Sequence, residues 1–139
     1  MDREYYIGRI NSYENMLEDT TSQMLRKERE LQDVEEFQGR HQQAVDDMEE
    51  HFSWRKQRIE GTSLEASQVH IFSGYKDCML DLLEGREKQQ YVWQKEEEQA
   101  GIRQVIRKLE DEICTLRSQR YGYEHIIADL YHQLNTIEE

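Results

Sequence analysis

An apolar stripe runs along the first half of the chain, with its residues separated alternately by four and three positions. The stripe comprises Tyr6, Ile10, Tyr13, Leu17, Thr20, Met24, Lys27, Leu31, Val34, Gln38, His41, Val45, Met48, Phe52, Arg55 and Ile59. Eleven of these sixteen positions are apolar, and most residues off the stripe are polar or charged. A period of 3.5 residues is typical of a coiled-coil seam. We therefore expect a long helix that packs on a second helix through one narrow face.

Composition agrees with long helices, because the 139 residues include no proline. Proline averages about 5% of residues, and β-sandwiches and barrels use it with glycine at their many turns. Only 36% of the residues are hydrophobic, which raises the question of disorder, but the chain has eight Tyr, three Phe and two Trp. Disordered chains are poor in aromatic residues. The composition thus favours a few uninterrupted helices.

Glycine and capping residues predict where the first helix ends. Gly61 suits the position that terminates a helix. Thr62 and Glu65 have the spacing of a capping box, which begins a new helix. We expect helix 1 over about 3–60 and a turn over about 61–69.

The second half carries two apolar registers that do not join by an unbroken step of four or three. The early register consists of Phe72, Tyr75, Met79 and Leu82, and the late register consists of Ile102, Ile106, Leu109, Ile113, Leu116, Arg120, Tyr123, Ile127, Leu130, Leu134 and Ile137. The stretch between them is polar apart from Tyr91-Val92-Trp93. We expect helix 2 over about 70–136, with a stutter or break near 85–101. A short loop near Gly85 is the alternative.

Two long helices joined by a short turn lie antiparallel. The predicted fold is therefore all-α, a coiled-coil-like helical hairpin that forms a single domain over residues 1–139. Folding about the turn places Lys27 near residue 104, so that polar parts of the two helices face each other. The last turns, Tyr121–Ile137, are expected to pack on Tyr6–Leu17.

Charge argues against nucleic acid and membrane partners. The formal net charge is −12, and residues 1–60 and 61–139 each hold 15 acids and 9 bases. Phosphate binding needs concentrated cations, and anionic lipids would repel this surface. No stretch approaches the roughly 20 apolar residues that span a bilayer, and the N-terminal residues lack the pattern of a secretory signal. Cys78 and Cys114 fit free thiols in a reducing compartment, so we expect a cytoplasmic protein.

The sequence offers no set of residues for catalysis or for a cofactor. It contains no phosphate-binding glycine loop and no HExxH or CxxC motif. His125, Asp129 and His132 share one helical face, but a solvated polar face is the preferred interpretation over a metal site. His41 is expected to bond a polar group across the seam. We expect no catalytic, cofactor-binding or metal site, and a protein that is not an enzyme.

Apolar residues off the two seams indicate a binding function. A two-helix hairpin buries one stripe per helix, so further apolar side chains are available to a partner. Trp54 is the preferred contact near the turn, because tryptophan is enriched at binding hot spots, whereas Phe52 and Phe72 are expected to close the end of the core. The predicted partner-binding residues are Trp54, Tyr91, Trp93, Tyr121, Ile126 and Tyr131.

Three short segments near the end of the first helix carry a resemblance to a known family: Gln38-Gly39-Arg40, Val45-Asp46-Asp47 and His51-Phe52. With the acidic, proline-free helix–turn–helix pattern, the chain resembles the WXG100-like accessory proteins of the type VII secretion system, above all the partners of LXG toxins. The resemblance implies a chaperone or targeting factor that packs on the helical N-terminal domain of a toxin. It also implies a second small helical protein in the bundle, and leaves open export together with the cargo.

Two motifs of WXG100-like proteins are absent from the sequence. Trp54 is followed by Arg55 and Lys56 instead of completing Trp-x-Gly, and no Tyr or Phe has an acidic residue four positions on. The missing export motif favours a chaperone or targeting subunit. The chain is also similar in outline to stalk or escort proteins of flagellar and type III secretion ATPases. A third interpretation is a self-associating structural coiled coil, and a homodimer is an alternative when no partner is present.

Overall fold

The computed structural model describes residues 2–61 and 70–138, except for the side chains of residues 70–73, 83 and 84. Three helices account for these residues apart from Gly61 and Gly85, and their bounds are Asp2–Glu60 (α1), His70–Glu84 (α2) and Arg86–Glu138 (α3). No strand occurs in the described ranges. The predicted all-α helical hairpin is therefore confirmed. The predicted turn lies outside the described residues from position 62 onward.

A single residue, Gly85, separates α2 from α3. The amide N–H of Gln89 donates to the carbonyl oxygen of Gly85 at 3.1 Å, so α3 begins directly after the interruption. A Cβ atom at position 85 would collide with the backbone carbonyl oxygen of Asp81. Gly101, in contrast, lies inside α3 with nothing within 4 Å of an added Cβ. The break predicted near 85–101 is thus confined to Gly85.

The predicted seams account for most of the burial along α1 and the second half of α3. Thirteen of the sixteen stripe positions of α1 are buried or half-buried, the exceptions being Gln38, Met48 and Arg55. Thr20 is buried at its seam position despite its hydroxyl group. Of the eleven late-register positions, Ile137 alone is exposed. One narrow stripe per helix therefore forms the interface, as the 3.5-residue period predicts.

The polar stretch of α3 continues the same seam. Lys88, Val92, Lys95 and Gln99 are half-buried and lead by steps of four and three into Ile102. The predicted change of register therefore falls at Gly85 and not within 88–101, where three of these four positions are polar and carry no hydropathy signal. Lysine fits such a seam when its aliphatic stem is covered and its amine reaches solvent or an acid.

The early register predicted for helix 2 is largely wrong. Tyr75 and Leu82 are exposed, and Met79 is half-buried. The side chain of Phe72, which was expected to close the end of the core, lies outside the described residues. With Gly85 interrupting the helix after Glu84, the seam of α3 does not extend through α2 in one continuous register.

One compact unit consists of Met1–Glu35 and Val105–Glu139. Its core joins the start of α1 to the end of α3, and its side chains are Tyr6, Ile10, Tyr13, Ile126, Leu130 and Leu134. This packing confirms the contact expected between Tyr6–Leu17 and Tyr121–Ile137. Because residues near both ends of the chain meet here, α1 and α3 lie antiparallel in this unit.

The second compact unit consists of Glu36–Gln104. Val45 is the one buried hydrophobic residue among its described side chains. The rings of Phe52 and Tyr91 lie 5.5 Å apart, and the Tyr91 hydroxyl donates to the carbonyl oxygen of Val45 at 3.4 Å. This unit therefore has few buried apolar contacts, and polar contacts contribute more of its interface.

Pairing within the second unit differs in register from the expectation. His41 contacts Glu98, whereas folding about the middle of the predicted turn would place it near Gln90. The Lys76 amine donates to the carbonyl oxygen of Glu60 at 3.0 Å. The helices therefore pair about a point further along the chain than the middle of the predicted turn, and sequence spacing alone does not fix that point.

Removal of the Leu130 side chain tests the core of the first unit. Leu130 is 5% exposed and Leu25 is 47% exposed. We expect Leu130→Ala to lower the free energy of unfolding by about 2–4 kcal/mol through lost burial and a cavity. The control Leu25→Ala should change it by less than about 0.5 kcal/mol. Urea unfolding followed by circular dichroism measures both, and equal effects would contradict this core.

Alanine substitution of two glycines tests the site of the helix break. We expect Gly101→Ala to raise the free energy of unfolding by about 0.5–1 kcal/mol, because alanine loses less backbone entropy in a helix. Gly85→Ala should lower it, because the new Cβ meets the Asp81 carbonyl oxygen. Thermal unfolding of the two variants should show shifts of opposite sign. A stabilised Gly85→Ala protein would mean that the helix does not break there.

Candidate partner-binding surface

Four of the predicted contact residues are exposed aromatic side chains, Trp54, Trp93, Tyr121 and Tyr131, and the first three are the most exposed. Trp54 is 53% exposed, Trp93 62% and Tyr121 64%. Trp54 and Trp93 belong to the second unit and Tyr121 to the first. Each lies on a helix whose buried stripe is already occupied by the opposite helix, so these rings are available for intermolecular contact.

Two other predicted contact residues are part of the interface within the chain. Tyr91 is half-buried against Phe52, and burial raises the pKa of its hydroxyl above the ordinary value of 10.0. Ile126 is half-buried and packs on the core of the first unit. Both residues flank a seam position and are partly covered by the facing helix, so they offer less surface to a partner than the exposed aromatic residues do.

Trp54 stands beside a shallow pocket at the end of α1. The pocket is lined by Trp54, Arg55, Arg58, Ile59, Met79, Leu82 and Glu87, and we call it the Trp54 pocket. The Arg58 guanidinium lies 5.2 Å from the centre of the Trp54 ring. The His51 ring stacks on the Trp54 ring, with 6.4 Å between the two ring centres. These contacts fix the orientation of an exposed tryptophan, which lowers the entropy that a partner must remove on binding.

Trp93 occupies a different depression in the second unit. That depression is lined by Lys88, Gln89, Val92, Trp93 and Glu96. Glu96 and Glu97, one turn further along α3, form no hydrogen bond or ion pair within the described part of the chain. The surface around Trp93 is therefore apolar at its centre and has free carboxylates at its edge.

Tyr121 and Tyr131 are exposed and hydrogen-bonded in the first unit. The Tyr121 hydroxyl lies 2.9 Å from Nε2 of His125, and the two rings meet edge to face at 4.7 Å. The Tyr131 hydroxyl donates to Oε1 of Glu14 on α1 at 2.9 Å. This bond raises the pKa of Tyr131 above 10.0. Tyr131 thus links the two helices as well as facing solvent.

Lys27, a charged residue in the stripe of α1, is paired across the seam of the first unit. Its Nζ lies 3.0 Å from Oε2 of Glu112 on α3 and 3.6 Å from Oε2 of Glu30 on α1. The hydrogen bond to Glu112 raises the pKa of Lys27 above its ordinary value of 10.5. The expectation that Lys27 faces residue 104 is wrong. As in the second unit, the helices pair about a point further along the chain than the middle of the predicted turn.

Two further charged contacts cross the seam of the second unit. Nε2 of His41 lies 2.8 Å from Oε2 of Glu98, and the Lys95 amine lies 2.8 Å from Oε1 of Glu49. The hydrogen bond from His41 lowers the pKa of Glu98, and the hydrogen bond to Glu49 raises the pKa of Lys95. His41 therefore bonds a polar group across the seam, as expected.

Among the described residues, no group of three or more His, Cys, Asp and Glu side chains has an arrangement that would hold a metal ion. His125 bonds to Tyr121 instead of completing a cluster with Asp129 and His132. Cys78 and Cys114 are exposed and free of disulfides. No described helix is both long enough and apolar enough to cross a bilayer.

Sequence reasoning missed part of the exposed apolar surface. The exposed residues that it assigned to a seam or left out of the contact set include Met16, Leu25, Phe37, Met48 and Leu82. Leu25 directly follows the buried seam residue Met24. An apolar residue at that position faces away from the seam, and this pattern would have identified Leu25 as exposed. Leu82 was missed because the register of α2 was misassigned.

Comparison of the chain with protein-family models, curated proteins and solved structures gives no match. The exposed aromatic side chains and the charges around them are the features of this chain that bear on its function.

The contact between Glu98 and His41 is expected to make the stability of the fold depend on pH. A lowered pKa in the folded state means that ionised Glu98 stabilises the fold above its ordinary value of 4.5. That contribution is lost as the pH falls through the lowered folded pKa. We expect Glu98→Gln to lower the melting temperature at about pH 6, with the deficit shrinking as the pH falls below 4.5. Glu97→Gln is the control and should show no such deficit; a deficit for Glu98→Gln that is independent of pH would contradict the assignment.

Proposed function

We propose that this protein is a non-enzymatic binding protein whose partner is another helical protein. The exposed aromatic residues Trp54, Trp93 and Tyr121 carry the proposal. Large apolar side chains on a helix surface that is not used for folding are typical of protein-binding sites, and tryptophan and tyrosine are enriched at their energetic centres. Helices present such residues to a partner helix at spacings of three, four and seven positions.

The partner that we propose is the helical N-terminal domain of an LXG-type toxin. In this role the protein acts in the cytoplasm as a chaperone or targeting factor for type VII secretion, with a second small helical protein as a further member of the bundle. The segments Gln38-Gly39-Arg40 and Val45-Asp46-Asp47 support this proposal, together with the hairpin fold. Covering the apolar residues of an unassembled toxin domain is a task that an exposed apolar helix surface performs directly.

Co-expression tests this role. The protein should co-purify with an LXG-type toxin domain encoded beside its own gene, and light scattering should give a complex of fixed stoichiometry. Two results would contradict the proposal. One is association with a secretion ATPase ring in place of the toxin, which is the behaviour of a stalk or escort protein. The other is a homo-oligomer whose formation depends on concentration and which excludes the toxin.

Substitution of Trp54 tests the contact surface. We expect Trp54→Ala to leave helicity unchanged, because the ring is outside the buried seam, and to weaken partner binding by about tenfold or more. Leu25→Ala, also an exposed apolar residue, should change the affinity by less than about twofold. Calorimetry with the purified toxin domain measures both. Equal affinities of the wild type and Trp54→Ala would remove Trp54 from the binding surface.

A further inference from the structure

The Trp54 pocket combines apolar and cationic side chains. Ile59 and Met79 are half-buried, and Leu82 beside them is exposed. Trp54 extends the apolar surface. All lining residues belong to the second unit, on three successive helices. A partner side chain of the size of leucine or phenylalanine therefore has apolar contacts on several sides in this pocket.

The charge of the pocket is opposite to that of the chain as a whole. Its lining contains the guanidinium groups of Arg55 and Arg58 and one carboxylate, that of Glu87. Arg55 is exposed and forms no hydrogen bond or ion pair within the described residues. Arg58 is engaged by the cation–π contact with Trp54. In a chain of net charge −12, this apolar pocket thus presents the exposed guanidinium of Arg55 to a partner.

We infer that the Trp54 pocket binds an acidic amphipathic helix of a partner protein. An apolar side chain of that helix would lie on Trp54, Met79 and Leu82, and Asp or Glu one turn away would meet the guanidinium of Arg55. Arginine and carboxylate form paired hydrogen bonds of defined geometry, which adds specificity to the apolar contact. This inference rests on the proposed function and adds the charge that the contacting segment carries.

Charge also distinguishes this pocket from the surface around Trp93. There the lining holds one carboxylate, Glu96, and one half-buried cation, Lys88, so it has no exposed guanidinium to attract an acidic helix. An anionic membrane also combines apolar and acidic groups. The overall charge of −12 opposes its approach, whereas a single helix needs to approach only the pocket.

Two synthetic helical peptides with the same apolar face test the inference, one with Glu and the other with Lys flanking that face. Fluorescence anisotropy of the labelled peptides measures their affinity for the full chain. We expect the Glu peptide to bind about tenfold or more tightly than the Lys peptide, and more weakly as salt is added. Trp54→Ala and Arg55→Glu should each lower the affinity for the Glu peptide by about tenfold.

Two control variants separate a local contact from a general effect of charge. Arg103→Glu makes the same charge change at an exposed position of α3, and Phe37→Ala removes an exposed aromatic ring of the second unit that is outside the pocket. Both should leave the affinity for the Glu peptide within about twofold. Circular dichroism of every variant confirms that the helices remain.

Five results would overturn the inference. Three concern the peptides: no binding of the Glu peptide, equal affinity for the two peptides, or equal losses for Arg55→Glu and Arg103→Glu. A fourth is binding to phosphatidylserine vesicles that Arg55→Glu abolishes. The last result would identify a membrane surface as the occupant. A dimer of the chain that Trp54→Ala dissociates would identify a second copy instead and also overturn it. None of these results changes the outcome of the toxin co-purification, so the inference and the proposed function fail separately.

Discussion

Each unit of this protein depends on one narrow strip of buried side chains between α1 and α3. Seven hydrophobic residues are buried among the described side chains, and no large side chain there is fully buried. Apolar burial supplies most of the favourable free energy of folding, so a strip of this width leaves a small margin. It also explains the composition. Long helices that bury one stripe need few apolar residues, and the outward faces are free to carry charge.

Polar residues within that strip determine how the helices pair more than they add to stability. Exposed ion pairs contribute about 0–1 kcal/mol, but a charge in the seam is costly wherever it lacks a partner. Lys27 in the first unit and His41 in the second each meet a carboxylate on α3, so a shifted pairing would separate them. The pairing in the second unit also brings Ile59 beside Met79, which forms the Trp54 pocket. The surface proposed for binding is thus a consequence of the register.

The apolar period predicts the long helices and most buried positions, because burial of one stripe leaves a direct trace in the sequence. It fails where seam positions are polar, as at Lys88 and Lys95, since their burial depends on partners that lie far away in the chain. It also fails for the register, which depends on where the helices begin to pair. The exposure of Trp54 and Trp93 follows from their positions off the stripes. The pocket beside Trp54 does not, because it needs side chains from three helices.

Cross-linking within the second unit tests the register most directly. The Gln99 side-chain amide donates to Oε1 of Gln42 at 3.2 Å, whereas folding about the middle of the predicted turn would place Gln89 opposite Gln42. In a background with Cys78→Ser and Cys114→Ser, a short thiol cross-linker should join Gln42→Cys to Gln99→Cys rapidly, and Gln42→Cys to Gln89→Cys slowly or not at all. Preferred cross-linking of the second pair would contradict the register and, with it, the pocket on which the binding surface is built.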